Sequence, residues 1–229
     1  MPSPIDLTRI LVIAPVCNQT DLDFLSKNQI SDHCDVIELR LDSLTDNLEE
    51  ISAFLTDNRP DIPILATARH PDEGGCHSLN AITRQDLYLR FLPLVDAIDI
   101  ELRSVSEMGE VIDAARSAEI PIILSFHEFK STPSVAIIRS KIDQSIEAGA
   151  DVCKIAIHLD SQPALDELTH ICESESRIKL SMMGMGPLGK ASRIAFAKAG
   201  SVLNYGYLKE ANAPGQWPAI ELKQSINRF

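Results

Sequence analysis

The feature that most constrains the fold is a regular alternation of short β-branched runs with longer segments of helical periodicity. Eight such runs occur, and each is long enough for one buried strand. Strands that alternate with helices in this way are typical of parallel sheets built from βα units. We expect strands at Ile10–Val16, Val36–Leu41, Ile62–Ala68, Ala97–Leu102, Ile120–Phe126, Val152–Ile157, Lys179–Met183 and Val202–Tyr205.

The chain length agrees with a closed barrel. Its 229 residues provide roughly 29 residues per βα unit, which suits one strand, one helix and two short loops. We therefore expect a single (β/α)8 TIM barrel over residues 1–229, with an open doubly wound sheet as the alternative. The segment from Ser134 to Gly149 has the apolar spacing of an amphipathic helix. Ser104 with Glu107, and Pro133, are expected to mark two further helix starts.

Composition narrows the range of partners. The formal charge is −12 at pH 7, and we find no clustered basic face that could neutralise phosphates, which argues against nucleic acid. Apolar runs such as Ile10–Val16 are far shorter than the roughly 20 residues of a membrane-spanning helix. The five cysteines are odd in number and show no C-x-x-C pair, as expected of reduced thiols. We expect a cytoplasmic homodimer with a small-molecule partner.

Several charged side chains lie where barrel enzymes carry their active sites, late in strands or just after them. Glu38 and Arg40 are two residues apart and share one strand face, where they form either a functional pair or a structural ion pair. Lys154 interrupts an apolar strand. A buried ammonium is costly unless it is paired or serves as a nucleophile. His127 ends another strand, which is a suitable position for a general acid or base, although a core histidine remains the alternative.

Loop residues add further candidates. Arg69 and Glu73 flank a loop with two glycines that could act as a lid. A G-x-G-x-x-G run begins at Gly184, but the acidic residue expected after the next strand of a dinucleotide site is absent. Arg193 offers a planar fork that could bind a carboxylate through two atoms. The histidines other than His127 lack helical metal-ligand spacing, so we expect no metal site.

Six motifs follow one another along nearly the whole chain. They are Glu38-Leu-Arg40, Arg69 followed by Glu73-Gly-Gly, Ser125-Phe-His127, Lys154, Gly189-Lys-Ala-Ser-Arg193 and Ala213-Pro-Gly-Gln216. Their order and spacing, from about residue 10 to residue 220, resemble the motif series of type I 3-dehydroquinate dehydratases. The resemblance implies a barrel lyase that converts 3-dehydroquinate to 3-dehydroshikimate in the shikimate pathway of aromatic amino acid biosynthesis. It also implies no metal or organic cofactor.

The resemblance implies a role for each matching residue. The implied catalytic residues are the Schiff-base lysine Lys154, the proton-transferring His127 and its neighbour Glu73. The implied substrate-binding residues are Arg193 at the carboxylate, Glu38, Arg40, Arg69, Asn212 and Gln216 around the hydroxyl and ketone groups, and the pocket methionines Met183 and Met185. Asn212 stands where the family usually has serine and can still donate and accept hydrogen bonds. A class I Schiff-base aldolase and a barrel that only binds a metabolite are the alternative functions.

Overall fold

The computed structural model describes residues 4–211 and 215–228, in which eight strands alternate with eight α-helices. Strands β1 to β8 span Leu11–Val16, Val36–Arg40, Ile64–Thr67, Ala97–Glu101, Ile122–Glu128, Val152–His158, Lys179–Met185 and Leu203–Tyr205. Helices α1 to α8 span Gln19–Lys27, Leu48–Asp57, Ala81–Phe91, Gly109–Ser117, Val135–Glu147, Gln162–Ser174, Gly189–Lys198 and Ala219–Ile226. No helix within the described ranges is long and apolar enough to cross a membrane.

The strands form a closed barrel. Each strand from β1 to β6 pairs in parallel with the next, and β8 pairs with β1, so β7 and β8 are the two edges of the sheet. Two hydrogen bonds join the remaining edges: Val202 N–H donates to the Leu180 carbonyl over 2.8 Å, and Ser181 Oγ donates to the Leu203 carbonyl over 2.7 Å. The predicted (β/α)8 TIM barrel is thus confirmed, and the alternative of an open doubly wound sheet is wrong.

The barrel interior changes from apolar to charged along the strands. Residues two apart point to the same side of a strand, so a strand can present an apolar residue near its start and a charged one later. Ala97 and Val152 belong to one apolar interior cluster, which fills the lower part of the barrel. Asp99 and Lys154 follow two residues later on the same strands, and their side chains contact each other. Charged groups therefore gather toward the carboxyl ends of the strands.

The helix starts differ in part from expectation. The amphipathic helix after Ser134 is confirmed as α5, and Gly149 follows its end with a positive φ of 72°. The start expected at Ser104 is wrong, because α4 begins at Gly109 and the Ser104 hydroxyl accepts a hydrogen bond from buried Arg84. Pro133 precedes the residue that caps α5 and so lies outside its first turn.

Candidate active site

A cavity of about 160 Å³ lies at the carboxyl ends of the strands. Ten of the eleven predicted site residues line it: Glu38, Arg40, Arg69, Glu73, His127, Lys154, Met183, Met185, Arg193 and Gln216. The eleventh, Asn212, lies outside the described residues. The strand order brings these side chains together from six of the eight strands and the segments after them, although Glu38 and Gln216 are 178 positions apart.

Lys154 lies on β6 with its side chain only 3% exposed. Its Nζ donates to Asp99 Oδ2 over 2.7 Å and lies 3.8 Å from Glu38 Oε1. The same nitrogen lies 4.0 Å from the centroid of the Tyr205 ring, whose face attracts a cation. These contacts hold the amine in one position at the floor of the cavity, where a nucleophile would need to be.

Arg69 and two carboxylates of β4 form a buried network around this lysine. Arg69 donates through Nη1 and Nη2 to Asp99 over 3.2 and 3.0 Å, and through Nη1 to Glu101 over 2.7 Å. Burial alone would raise the pKa of Asp99, but the charges of Arg69 and Lys154 outweigh it and hold that pKa well below its usual value. Asp99 therefore remains an anion shared by two cations.

Glu38 and Arg40 both line the cavity but do not form the ion pair that the sequence left open. Glu38 Oε1 accepts a hydrogen bond from the Thr67 hydroxyl over 2.8 Å. Arg40 instead binds Asp42 through two hydrogen bonds, Nε to Oδ1 over 3.0 Å and Nη2 to Oδ2 over 2.8 Å. Asp42 thus fixes the Arg40 guanidinium at the edge of the cavity.

His127 and Glu73 form a hydrogen-bonded pair on one wall. His127 Nδ1 lies 2.9 Å from Glu73 Oε2, which also accepts the His127 backbone N–H over 3.0 Å. Burial, together with the smaller effect of the negative charge of Glu101, raises the pKa of Glu73 to about 7. Burial and the nearby cations Arg69 and Lys154 lower the pKa of His127 well below its usual range. The imidazole is therefore neutral near pH 7, and its Nε2 points away from Glu73.

The loop that carries Glu73 is fixed at both ends by one carboxylate. Asp42 accepts the backbone N–H of Arg69 over 3.1 Å and that of Cys76 over 3.0 Å. Between them the chain passes so close to itself that a Cβ on Gly75 would lie 2.2 Å from the Arg69 carbonyl oxygen. Glycine is therefore required there, which explains one of the two glycines noted in the sequence.

Arg193, on α7, is buried against main-chain carbonyls. Its Nε donates to the Tyr205 carbonyl over 2.9 Å, and Nη1 donates to those of Gly184 and Gly189 over 2.8 and 3.0 Å. Within residues 4–211 and 215–228 no carboxylate forms an ion pair with it, and burial lowers its pKa to about 10. Nε and Nη1 are already bound, and Nη2 has no hydrogen-bond partner in the described part of the chain, so we expect a ligand to reach Nη2 rather than the two-atom fork that the sequence suggested.

Four residues that shape the site were not among the predicted set: Asp42, Asp99, Glu101 and Tyr205. The sequence contained a signal for two of them. Asp99 and Glu101 alternate with isoleucines in Ala-Ile-Asp-Ile-Glu, the same pattern that singled out Glu38 and Arg40. Tyr205 gave no comparable signal, since a tyrosine at the end of a strand is equally typical of an ordinary core.

The comparisons with known proteins agree with this geometry. The model of the type I 3-dehydroquinase family matches residues 13–228. The chain belongs to this family. Type I 3-dehydroquinases are hydro-lyases of the shikimate pathway, so the resemblance inferred from the motifs is confirmed at the level of the family.

Relatives and solved structures of type I 3-dehydroquinases cover nearly the whole chain. The 3-dehydroquinate dehydratase of Thermodesulfovibrio yellowstonii is 31% identical over 226 residues, which is 97% of this chain and 96% of that protein. A crystal structure of the type I enzyme from Clostridium difficile, with covalently modified comenic acid, has a TM-score of 0.85 at 27% identity and covers 99% of this chain and 97% of its own. The Aquifex aeolicus 3-dehydroquinate dehydratase structure has a TM-score of 0.80 at 29% identity, covering 96% and 99%.

Proposed function

We propose that the chain dehydrates 3-dehydroquinate to 3-dehydroshikimate through a Schiff base on Lys154. One observation supports this more than any other: a buried lysine amine and a histidine paired with a carboxylate line the same small cavity. A lysine nucleophile and a separate acid–base group are the two parts that imine chemistry beside a carbonyl requires.

The first step joins substrate and enzyme. The Lys154 ammonium releases one proton, and its amine attacks the ring ketone to form an N–C bond. The ketone oxygen takes up that proton and a second one from the same nitrogen and leaves as water. The product is a protonated imine, which withdraws electrons from the neighbouring carbon and makes its hydrogen far more acidic than in the ketone. Asp99, 2.7 Å from Nζ, keeps the lysine in position for this attack.

His127 then transfers the proton. The neutral imidazole takes the hydrogen from the carbon beside the imine, and the C–H electron pair forms an enamine. The enamine expels the β-hydroxyl, to which the imidazolium returns the proton, so a second water leaves. Glu73 accepts a hydrogen bond from His127 Nδ1 and stabilises the positive charge of the imidazolium. Hydrolysis of the imine releases 3-dehydroshikimate and restores Lys154.

The remaining cavity residues orient the substrate. Arg193 carries a buried positive charge that a substrate carboxylate would neutralise. Glu38, Arg40, Arg69 and Gln216 supply polar groups for the hydroxyl and ketone side, while Met183 and Met185 form an apolar wall. Holding the ring in one orientation contributes to rate because the reacting hydrogen must face His127.

The experiment that tests this function is borohydride reduction of the protein mixed with 3-dehydroquinate, followed by intact mass and peptide mapping. We expect a stable adduct on Lys154 in the wild-type protein and none in Lys154→Met. Lys130→Met is the matched control, since it removes an exposed lysine outside the cavity. An unreduced sample should develop the absorbance of the conjugated enone.

Other outcomes identify the alternative functions. An adduct together with C–C cleavage products would indicate an aldolase, and binding of 3-dehydroquinate without adduct or enone would indicate a metabolite-binding barrel. Either result would refute the dehydratase proposal. The expected homodimer and cytoplasmic location remain predictions, which analytical ultracentrifugation and cell fractionation would check.

A further inference from the structure

The Tyr205 side chain occupies the cavity without an evident task in the chemistry above. It ends β8, is 5% exposed, and lines the cavity beside Lys154. Its hydroxyl is buried and has no hydrogen-bond partner in the described part of the chain. A buried hydroxyl without a partner destabilises a fold, so such a group is conspicuous in a site.

Three other buried polar atoms of the described residues also lack partners, but each belongs to a group that is bonded elsewhere. Arg84 donates through both terminal nitrogens, Asp96 accepts through its second oxygen, and Asn204 donates through its amide nitrogen. The phenol oxygen is the only polar atom of the Tyr205 side chain. This side chain is thus the one in the set whose entire hydrogen-bonding capacity is unused.

The surroundings of the phenol are those of the reacting centre. The ring face lies 4.0 Å from Lys154 Nζ, measured to the ring centroid. Charges from Glu38, Asp99, Arg69 and Arg40 all act on the hydroxyl. Burial raises the pKa of Tyr205 well above its usual value, with Glu38 and Asp99 adding to the effect, so the hydroxyl keeps its proton and can donate.

We propose that the Tyr205 hydroxyl donates a hydrogen bond to the substrate oxygen on the carbon that Lys154 attacks. The inference rests on the proposed function and adds a residue to it. As the N–C bond forms, the carbonyl π electrons move to that oxygen, and a donor beside it stabilises the developing charge. Tyr205 keeps its proton throughout: the oxygen receives both of its protons from the Lys154 nitrogen, which starts as an ammonium, and leaves as water. The same hydrogen bond acts in reverse during hydrolysis of the imine.

The test is Tyr205→Phe, which removes one oxygen and keeps the ring beneath the lysine. Samples of enzyme and 3-dehydroquinate are quenched in borohydride after milliseconds to seconds, and the reduced adduct is counted by intact mass. We expect imine formation to slow by about 10- to 100-fold, as for other donors lost from a developing oxyanion. Tyr207→Phe is the control, because Tyr207 lies two residues after the end of β8 and does not line the cavity.

The melting temperature of Tyr205→Phe distinguishes a role in imine formation from a role in holding the fold together. Because the hydroxyl has no partner within the described residues, its removal should leave the melting temperature unchanged or higher. A lower melting temperature, or imine formation within twofold of the wild-type rate, would overturn the role of Tyr205 and leave the dehydratase function intact. Absence of any imine in the wild-type protein would instead refute the proposed function itself, and this inference with it.

Discussion

Replacing Arg193 by methionine should weaken substrate binding far more than it slows the chemistry. Methionine keeps much of the apolar stem and removes the guanidinium. In the structure this group is a buried cation whose neighbours are main-chain carbonyls, and no carboxylate of the described residues pairs with it. We therefore expect an anionic ligand to be the partner that neutralises this charge.

The expected loss of substrate binding follows from the cost of burying the Arg193 charge and from the energy of a hydrogen bond to a charged group. Burial lowers the pKa of Arg193 from 12.5 to about 10, which corresponds to roughly 3 kcal/mol of cost to the charged form. A carboxylate that reaches the guanidinium recovers part of that cost. Hydrogen bonds to charged groups contribute about 1.5–3 kcal/mol, and each 1.4 kcal/mol is about a factor of ten. We therefore expect KM for 3-dehydroquinate to rise by about 10- to 150-fold, with kcat changed by less than about fivefold.

The assay is steady-state formation of the enone, recorded by its absorbance at several substrate concentrations. Lys190→Met is the matched control, since it removes an exposed cation from the same helix and should leave KM within twofold. Circular dichroism and a melting curve establish that the Arg193→Met protein is folded. A KM within twofold of wild type, or a large fall in kcat at constant KM, would refute the carboxylate role of Arg193.

Three further variants probe the buried network. Glu73→Gln should become more stable than the wild-type protein as pH rises, because Glu73 keeps its proton up to about pH 7 in the folded protein but releases it above about pH 4.5 in the unfolded chain. The difference in the free energy of unfolding should be absent at pH 4 and reach about 1–3 kcal/mol at pH 8. Denaturant melts that show no such trend would contradict this prediction. Asp99→Asn leaves two buried cations short of their shared anion and should lower the free energy of unfolding by about 3–5 kcal/mol, measured in urea; a loss below about 1 kcal/mol would count against the network. Asp42→Asn should reduce kcat by about tenfold, because the loop that carries Glu73 loses the carboxylate that fixes both of its ends. Hydrogen exchange at the Cys76 amide should become faster. Unchanged exchange would show that a fall in kcat does not come from movement of this loop.

The fold was largely predictable because a buried parallel strand leaves a strong local signal. All eight strands occur where expected, within two residues at each end. The largest differences between expected and observed strand ends have local causes. β3 starts at Ile64 because the preceding Pro63 has no N–H to donate to a neighbouring strand. β5 and β7 continue two residues further than expected, into the rim of the cavity. The helix starts were less predictable, since a serine can cap a helix or accept from a distant arginine, as Ser104 does.

The motif residues of the site were predictable from the sequence, but the partners of their charges were not. Residues that belong to recognisable motifs were found, whereas the partner of each charge depends on distances across the barrel that spacing along the chain does not reveal. Arg40 could have paired with Glu38 or Asp42, both two residues away in sequence, and the structure selects Asp42. Lys154 required an anion, but nothing near it in the sequence identified its partner as Asp99, which is 55 positions away and was not among the predicted residues.

This arrangement of charges also determines how an anionic substrate can enter a protein with a net charge of −12. Lys154 and Arg69 are cations, but the carboxylates of Asp99, Glu38 and Glu101 lie within 4.0 Å of one or both. A substrate carboxylate placed there would meet three anions. Arg193 has no such neighbour in the described chain, so it is the favourable end for the negative group. On the proposed function, we therefore expect the uncharged ketone to face Lys154, and the distribution of acid partners to favour this orientation of the ring before any bond forms.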